Sequence, residues 1–264
     1  MLNSEFIKYG AANLDDSTAI HLNGDFDSVL SLLQGQVTSD CTLINEQLGQ
    51  ISSLCNEKGF ILCNFEVIFD QNKWLIIIEN GLQDIFLNEI TKFLPFYKVS
   101  AEPLSSKVIG FTRKKGQAML PNEHLVLSSD IAYLSLSIDK NIKSQDNLDI
   151  LSTENWAINR KIMGDHQIEL EETGKYRPHE LGQHNTRVSF TKGCFKGQEI
   201  IARMEYLGKL KKETRLIVHS NQKEVSEFII IGKSYKIQET IFSSCFGKID
   251  SFSNKINQAS NLFY

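Results

Sequence analysis

A chain of 264 residues, 41% of them apolar and 23% charged, is long enough for one large or two modest domains with real cores, which excludes wholesale disorder. A net charge of −4 excludes a protein that coats nucleic acid over its whole surface. No apolar run approaches the roughly 20 residues of a membrane span. The opening MLNSEFIKYG also lacks a basic stretch followed by an apolar core, so a cytoplasmic protein with no membrane partner is expected.

In chain order, residues 18–24 (TAIHLNG) read as a strand running into a turn. In GDFDSVLSLLQG, Phe26, Val29, Leu30 and Leu33 recur at helical spacing, with Asp25 as N-cap and Gly35 as terminator. GFILCNFEVIFD and KWLIIIEN read as two strands joined in a hairpin through DQNK. NGLQDIFLNEITKFL follows as a helix with Leu82, Ile85, Phe86, Ile90 and Phe93 on one side, stopping before Pro95. A second run of the same kind begins with SKVIGFT and IAYLSLSI as strands. LSTENWAINRKIMG then reads as a helix capped by Ser152 and stopped by Gly164. CFKGQEIIARMEYLG reads as another, with Ile200, Ile201, Met204 and Leu207 on its buried side and Gly208 at its end.

From about residue 210 the texture changes to short strands separated by turn residues: TRLIVHS, EFIIIGKSYKI and ETIFSSCFGKID. The expected fold class is therefore α+β. Residues 1–208 form two α/β units, about 1–105 and 106–208, and residues 209–264 a small antiparallel, β-barrel-like module packed against them.

Five cysteines, 41, 55, 63, 194 and 245, are an odd number without a CxxC pair, which fits neither a disulfide framework nor a paired-thiolate zinc site. His179 and His184, five apart in PHELGQH, share neither a helical nor a strand face well, and no metal site is expected. Charge concentrates between residues 191 and 215, where seven basic and three acidic residues give a local net charge of +4. That segment is either a solvated helix end or an anion-attracting rim beside Cys194. Direct contact with tRNA through Lys209, Lys211 and Lys212 is not expected, because only Phe195 and Tyr206 offer aromatic faces there.

In TKGCFKGQEI, residues 191–200, Cys194 stands between Lys192 and Lys196 just before a helix. Helix N–H groups and flanking ammonium groups both favour a thiolate. Gly193 and Gly197 would let the backbone bend tightly, and Gln198 and Glu199 fall in the first turn. The same residues are equally compatible with a small apolar filler in a turn.

KGCFKGQEIIAR closely resembles the K-G-C-[FY]-x-G-Q-E signature of the YgfZ-like folate-binding proteins, relatives of the T-protein of the glycine cleavage system. LNGDFDSVLSLLQGQVTSD, CNEKGFIL and RPHELG resemble further segments of that family, so the likeness runs over roughly residues 15–215. The resemblance implies a T-protein-like fold with a channel for tetrahydrofolate or a derivative. It also implies support for assembling or repairing iron–sulfur enzymes, including a tRNA methylthiotransferase, with Cys194 as the functional thiol. Trp156 falls where the family has a folate-contacting tryptophan, and its ring either stacks on the ligand or sits in the core. Arg160, one turn on, either meets a ligand carboxylate or braces the fold. Ser17 stands where the family has a second such tryptophan. Any iron–sulfur cluster would be transient and shared, since one thiol supplies only one of about four ligands. Cys63 and Asn64 replace the carboxylates on which T-protein aminomethyl transfer depends, so that activity is not expected. Two alternatives remain: one-carbon transfer from folate to another substrate, and a tRNA-contacting module.

Overall fold

The computed structural model describes residues 5–138 and 148–256. Strands β1 (Gly10–Asn13) and β2 (Ser17–Asn23) precede helix α1 (Phe26–Gln36), and β3 (Gln50–Cys55), β4 (Ile61–Asp70) and β5 (Lys73–Glu79) follow it. Helices α2 (Gln83–Ile90) and α3 (Leu94–Tyr97) lead to β6 (Ser100–Leu104). The first sheet has the order β3-β4-β5-β2-β6, antiparallel throughout. Pro103 is tolerated because β6 is an edge strand. Both faces of this sheet are covered, which is why KWLIIIE shows no polar alternation. Ile76 and Ile78 pack under α1 and α2, while Leu75 and Ile77 face a second core.

Asp25 caps α1 as expected, its carboxylate accepting from the Ser28 amide at 3.0 Å. The helix runs past Gly35 to Gln36, so Gly35 does not end it. The β4–β5 hairpin turns through Gln71 and Asn72, both left-handed, as a two-residue hairpin requires. The helix expected to run up to Pro95 ends early at Ile90. Pro95 instead lies in the first turn of α3, where its missing N–H leaves no hydrogen bond unmade.

The second sheet holds β7 (Val108–Lys114), β8 (His124–Ser128), β9 (Ala132–Ile138) and β10 (Ile150–Leu151), in the order β10-β1-β7-β9-β8. Strand β1 thus leaves the first α/β unit to pair with β7 and, in parallel, with β10. Helix α4 (Thr153–Ile162) is capped by Ser152 and followed by a left-handed Gly164, both as the sequence predicts.

Helix α5 (Gln198–Leu207) begins four residues after Cys194. Of the four side chains expected on its inner face only Ile201 is buried, and Leu207 is largely exposed. The C-terminal strands β11 (Lys212–His219), β12 (Ile229–Ile237) and β13 (Thr240–Lys248) form a small antiparallel sheet in the order β11-β13-β12, followed by α6 (Ile249–Ile256). Among the described residues this module does not close into a barrel: β11 and β12 each pair only with β13, leaving the sheet open at both edges. No helix among the described residues is long and apolar enough to cross a membrane.

Candidate functional site

The motif around Cys194 is assembled from three distant segments. The Lys192 ammonium turns inward and donates to the carbonyls of Val37 at 2.8 Å and Ser39 at 2.7 Å, just beyond the C-terminus of α1. Burial pushes its pKa down to about 8, with Cys41 and Asp40 opposing the shift. Phe195 is buried beneath it, its ring centroid 5.3 Å from the Lys192 Nζ. Lys196 ion-pairs with Glu89 of α2 at 2.9 Å. Both lysines that flank the thiol in sequence are therefore engaged elsewhere. Gly197, left-handed at φ 83°, precedes α5, and Gln198 and Glu199 lie in the first turn, with Glu199 exposed beside Arg203. Cys194 is exposed and unbonded to another cysteine; the other four cysteines are buried.

A cleft elsewhere gathers most of the remaining predicted residues. Ser17 from β2, Asn64 from β4, and Trp156 and Arg160 from α4 line one cavity of about 100 Å³. Cys194 is not among its lining residues. The Trp156 indole is closely backed by Gly110 of β7, where a Cβ would stand 2.8 Å from the ring. Arg160 lies one turn on, its guanidinium carbon 6.0 Å from the Trp156 ring centroid.

Arg160 is committed to protein partners. It donates to Glu66 at 2.6 Å and through Nε to Asp165 at 2.9 Å, and Arg187 binds the other side of Asp165 at 2.7 Å. Burial opposes the charge on Asp165, but Arg187 and Arg160 outweigh it and hold the carboxyl far below the usual range. Two guanidiniums face two carboxylates, so the cluster is neutral without a ligand. Asn64 is equally occupied: its amide donates to Ser53 Oγ and Gln183 Oε1 and accepts from the Ile168 amide and Gln183 Nε2. Cys63 points into the core under α1 and α2, where burial drives its pKa strongly upward.

Several lining residues have no signal in the local sequence. Asp16, Glu79 and Glu169 make the rim acidic, with Lys233 3.5 Å from both Glu79 and Glu169. Tyr235 reaches in from β12, near the irregular register between Ile231 and Tyr235, and Lys161 lines the floor.

A separate groove of about 610 Å³ holds the basic segment. There His179 and His184 stack at 4.6 Å, and His179 Nε2 lies 2.9 Å from Glu205 Oε2. Among the described residues no three side chains are grouped as a metal would need.

No family model matches the chain. The tRNA-modifying protein YgfZ of Colwellia psychrerythraea is 30% identical over 225 residues, covering 75% of this chain and 68% of that protein. The chain belongs to the YgfZ family of tRNA-modifying proteins. YgfZ proteins of Vibrio atlanticus and Photobacterium profundum are 25% and 24% identical, over 78% and 80% of this chain and 68% and 70% of theirs. The fold is that of the glycine cleavage system aminomethyltransferase T from Bartonella henselae, with a TM-score of 0.60 at 9% identity, covering 93% of this chain and 80% of that one. YgfZ membership and the T-protein fold are thus what the signature around Cys194 predicts.

Proposed function

We propose that this chain is a tetrahydrofolate-binding accessory protein that supports iron–sulfur enzymes, a tRNA methylthiotransferase among them, with Cys194 as its functional thiol. The observation that carries this reading is the convergence of Ser17, Asn64 and Trp156, from three separated segments, on one cavity. Its residues fit a pterin better than they fit the glutamate tail of folate. A pterin edge presents adjacent N–H donors, and the carboxylates of Glu79 and Glu169 accept such donors at the rim. The indole of Trp156 supplies an aromatic wall, and Tyr235 supplies the second aromatic that Ser17 lacks. Arg160 is already neutralised, so the ligand's carboxylates belong outside, toward solvent. The small volume of the cavity, about 100 Å³, agrees with insertion of one end only.

Cys194 belongs to a different surface, where an exposed thiol faces a partner protein rather than the ligand. A cluster passing through it would be held jointly with that partner. T-protein-type aminomethyl transfer is not part of this reading, because Asn64 spends its amide on structural hydrogen bonds.

Titrating tetrahydrofolate against tryptophan fluorescence, in the natural chain and in Trp156→Phe, tests the cavity. Saturable quenching that largely disappears in the variant is expected, and no binding to the natural chain would remove the folate part. Assaying tRNA methylthiolation in cells carrying only Cys194→Ser tests the thiol; normal levels of the modification would return Cys194 to a passive role.

A further inference from the structure

The floor of the cavity contains a buried amine that the folate reading does not use. Lys161 of α4 is 6% exposed and lines the cavity, yet among the described residues its Nζ has one hydrogen-bond partner, Ser244 Oγ of β13 at 2.7 Å, and otherwise stands 5.7 Å from the Tyr235 ring centroid. No carboxylate lies within ion-pair distance of it among the described residues. The same Ser244 hydroxyl is 2.9 Å from Nδ1 of the buried His166. Lys161, Ser244 and His166 therefore form a short chain of exchangeable protons that ends in the cavity.

We propose that Lys161 is an amine nucleophile that captures a small neutral aldehyde in this cavity. The lone pair of Nζ forms a C–N bond to the carbonyl carbon, and the C–O π electrons move to oxygen. That oxygen takes a proton while nitrogen gives one up, which yields a carbinolamine. Loss of water then breaks the C–O bond and leaves an imine, so aldehyde and amine give imine and water with no redox change. Ser244, hydrogen-bonded to Nζ, relays the proton from nitrogen to oxygen, and His166 orients its hydroxyl. With Lys161 only 6% exposed, a small electrophile reaches its Nζ most readily, and the rim of Asp16, Glu79 and Glu169, offset only by Lys233, disfavours anionic ones such as acyl phosphates.

The amine's surroundings agree with a nucleophilic state. Burial pushes the pKa of Lys161 down to about 8, with Glu169, Cys245, Asp165 and Glu172 opposing the shift. At pH 7 that makes the neutral amine about 300-fold more abundant than in a lysine with the ordinary value. His166, pushed down to about 3 by burial and by Lys161, is neutral, so its Nδ1 can accept a hydrogen bond from the Ser244 hydroxyl and orient it toward Lys161.

The inference goes beyond the folate reading and does not require it. Its test exposes the full chain briefly to formaldehyde and cyanoborohydride at pH 7, then maps methylation lysine by lysine. Lys161 is expected to react at least tenfold faster than the exposed Lys209 and Lys223, and several-fold more slowly in Ser244→Ala. Reaction of Lys161 no faster than Lys209 and Lys223 would overturn the proposal. A parallel sample holds folic acid, which lacks the nucleophilic ring nitrogens of the reduced form. Protection of Lys161 by folic acid supports both readings; fast reaction without protection keeps the aldehyde capture and counts against folate in the cavity.

Discussion

Gly197 packs so closely on Asn56 that a Cβ at residue 197 would stand 2.5 Å from the Asn56 carbonyl oxygen. The contact locks the segment holding Cys194 onto the turn that precedes β4, and Gly197 is also left-handed at φ 83°. Gly193, two residues before Phe195, has neither constraint: nothing lies within 4 Å of the corresponding Cβ position. Gly197→Ala is therefore expected to destabilise the fold by at least about 2 kcal/mol, from left-handed strain together with the clash. Gly193→Ala should stay within roughly 0.5 kcal/mol. Urea unfolding of the two variants checks this, and equal losses would show that the glycines act through something other than backbone geometry.

The ion cluster around Asp165 predicts a larger effect. Arg160→Met removes the 2.6 Å partner of Glu66 and one of the two guanidiniums on Asp165, leaving Arg187, 3.7 Å from Glu66, to face both carboxylates, at a cost of about 3–5 kcal/mol. Adding Glu66→Gln should recover part of that loss, because the orphaned charge goes with it. A double-mutant cycle in urea measures the coupling. If Arg160→Met proved nearly neutral, the guanidinium would be free for a ligand after all.

Asn64→Asp would place a carboxylate where the T-protein comparison expects one. It would remove the donor that binds Ser53 and Gln183, and both nearby guanidiniums are already paired. A carboxyl buried this way has a folded-state pKa above its unfolded value, so stability is retained at low pH and lost as pH rises through the carboxyl range. At pH 7 the expected loss is about 3–5 kcal/mol, with recovery below about pH 4 relative to the natural chain. Thermal melts across that range test it.

Much of this arrangement is legible in the sequence, and what is not has identifiable causes. Helix α4 can be read directly because Ser152 and Gly164 punctuate it, and the hairpin because Gln71 and Asn72 suit its turn. Strand β3 is hidden because QISSLC looks polar, although Ser52 and Ser53 are fully buried and bonded to Ser39, Asn64 and Gln183. The start of α5 is misjudged because apolar spacing continues through Phe195, whereas the left-handed Gly197 interrupts the helix. In the cavity, Ser17, Asn64 and Trp156 are found through their motifs. Glu66, Asp165, Lys161 and Tyr235 are unremarkable in their own segments and acquire meaning only from partners far along the chain, as in the Arg160–Glu66 pair, 94 residues apart.

Lys161 and Lys192 together predict an alkaline rise in stability. Burial lowers both amines to about 8 in the folded protein, while the unfolded chain keeps ordinary values near 10.5. Between those limits the unfolded state binds more protons, so stability increases with pH, by roughly 1 kcal/mol per pH unit for each lysine. Below about pH 8 both states hold the protons and the cost of burying the charges is fully present. Lys192→Met and Lys161→Met should each reduce the slope between pH 8 and 10, measured by urea unfolding. An unchanged slope in both would mean that the ammonium groups titrate as exposed lysines do.

The exposed Cys194 predicts a thiol count that separates it from the rest. Burial raises the pKa of Cys41 and Cys55 to about 12, and Cys63 and Cys245 are likewise buried. In the native protein an aromatic disulfide reagent should titrate one thiol rapidly and all five after unfolding, since reaction requires an accessible thiolate. Cys194→Ser should abolish the fast equivalent and change stability by less than about 0.5 kcal/mol. A second fast thiol, or a large stability loss in the variant, would place Cys194 in the packing rather than at a surface that meets a partner.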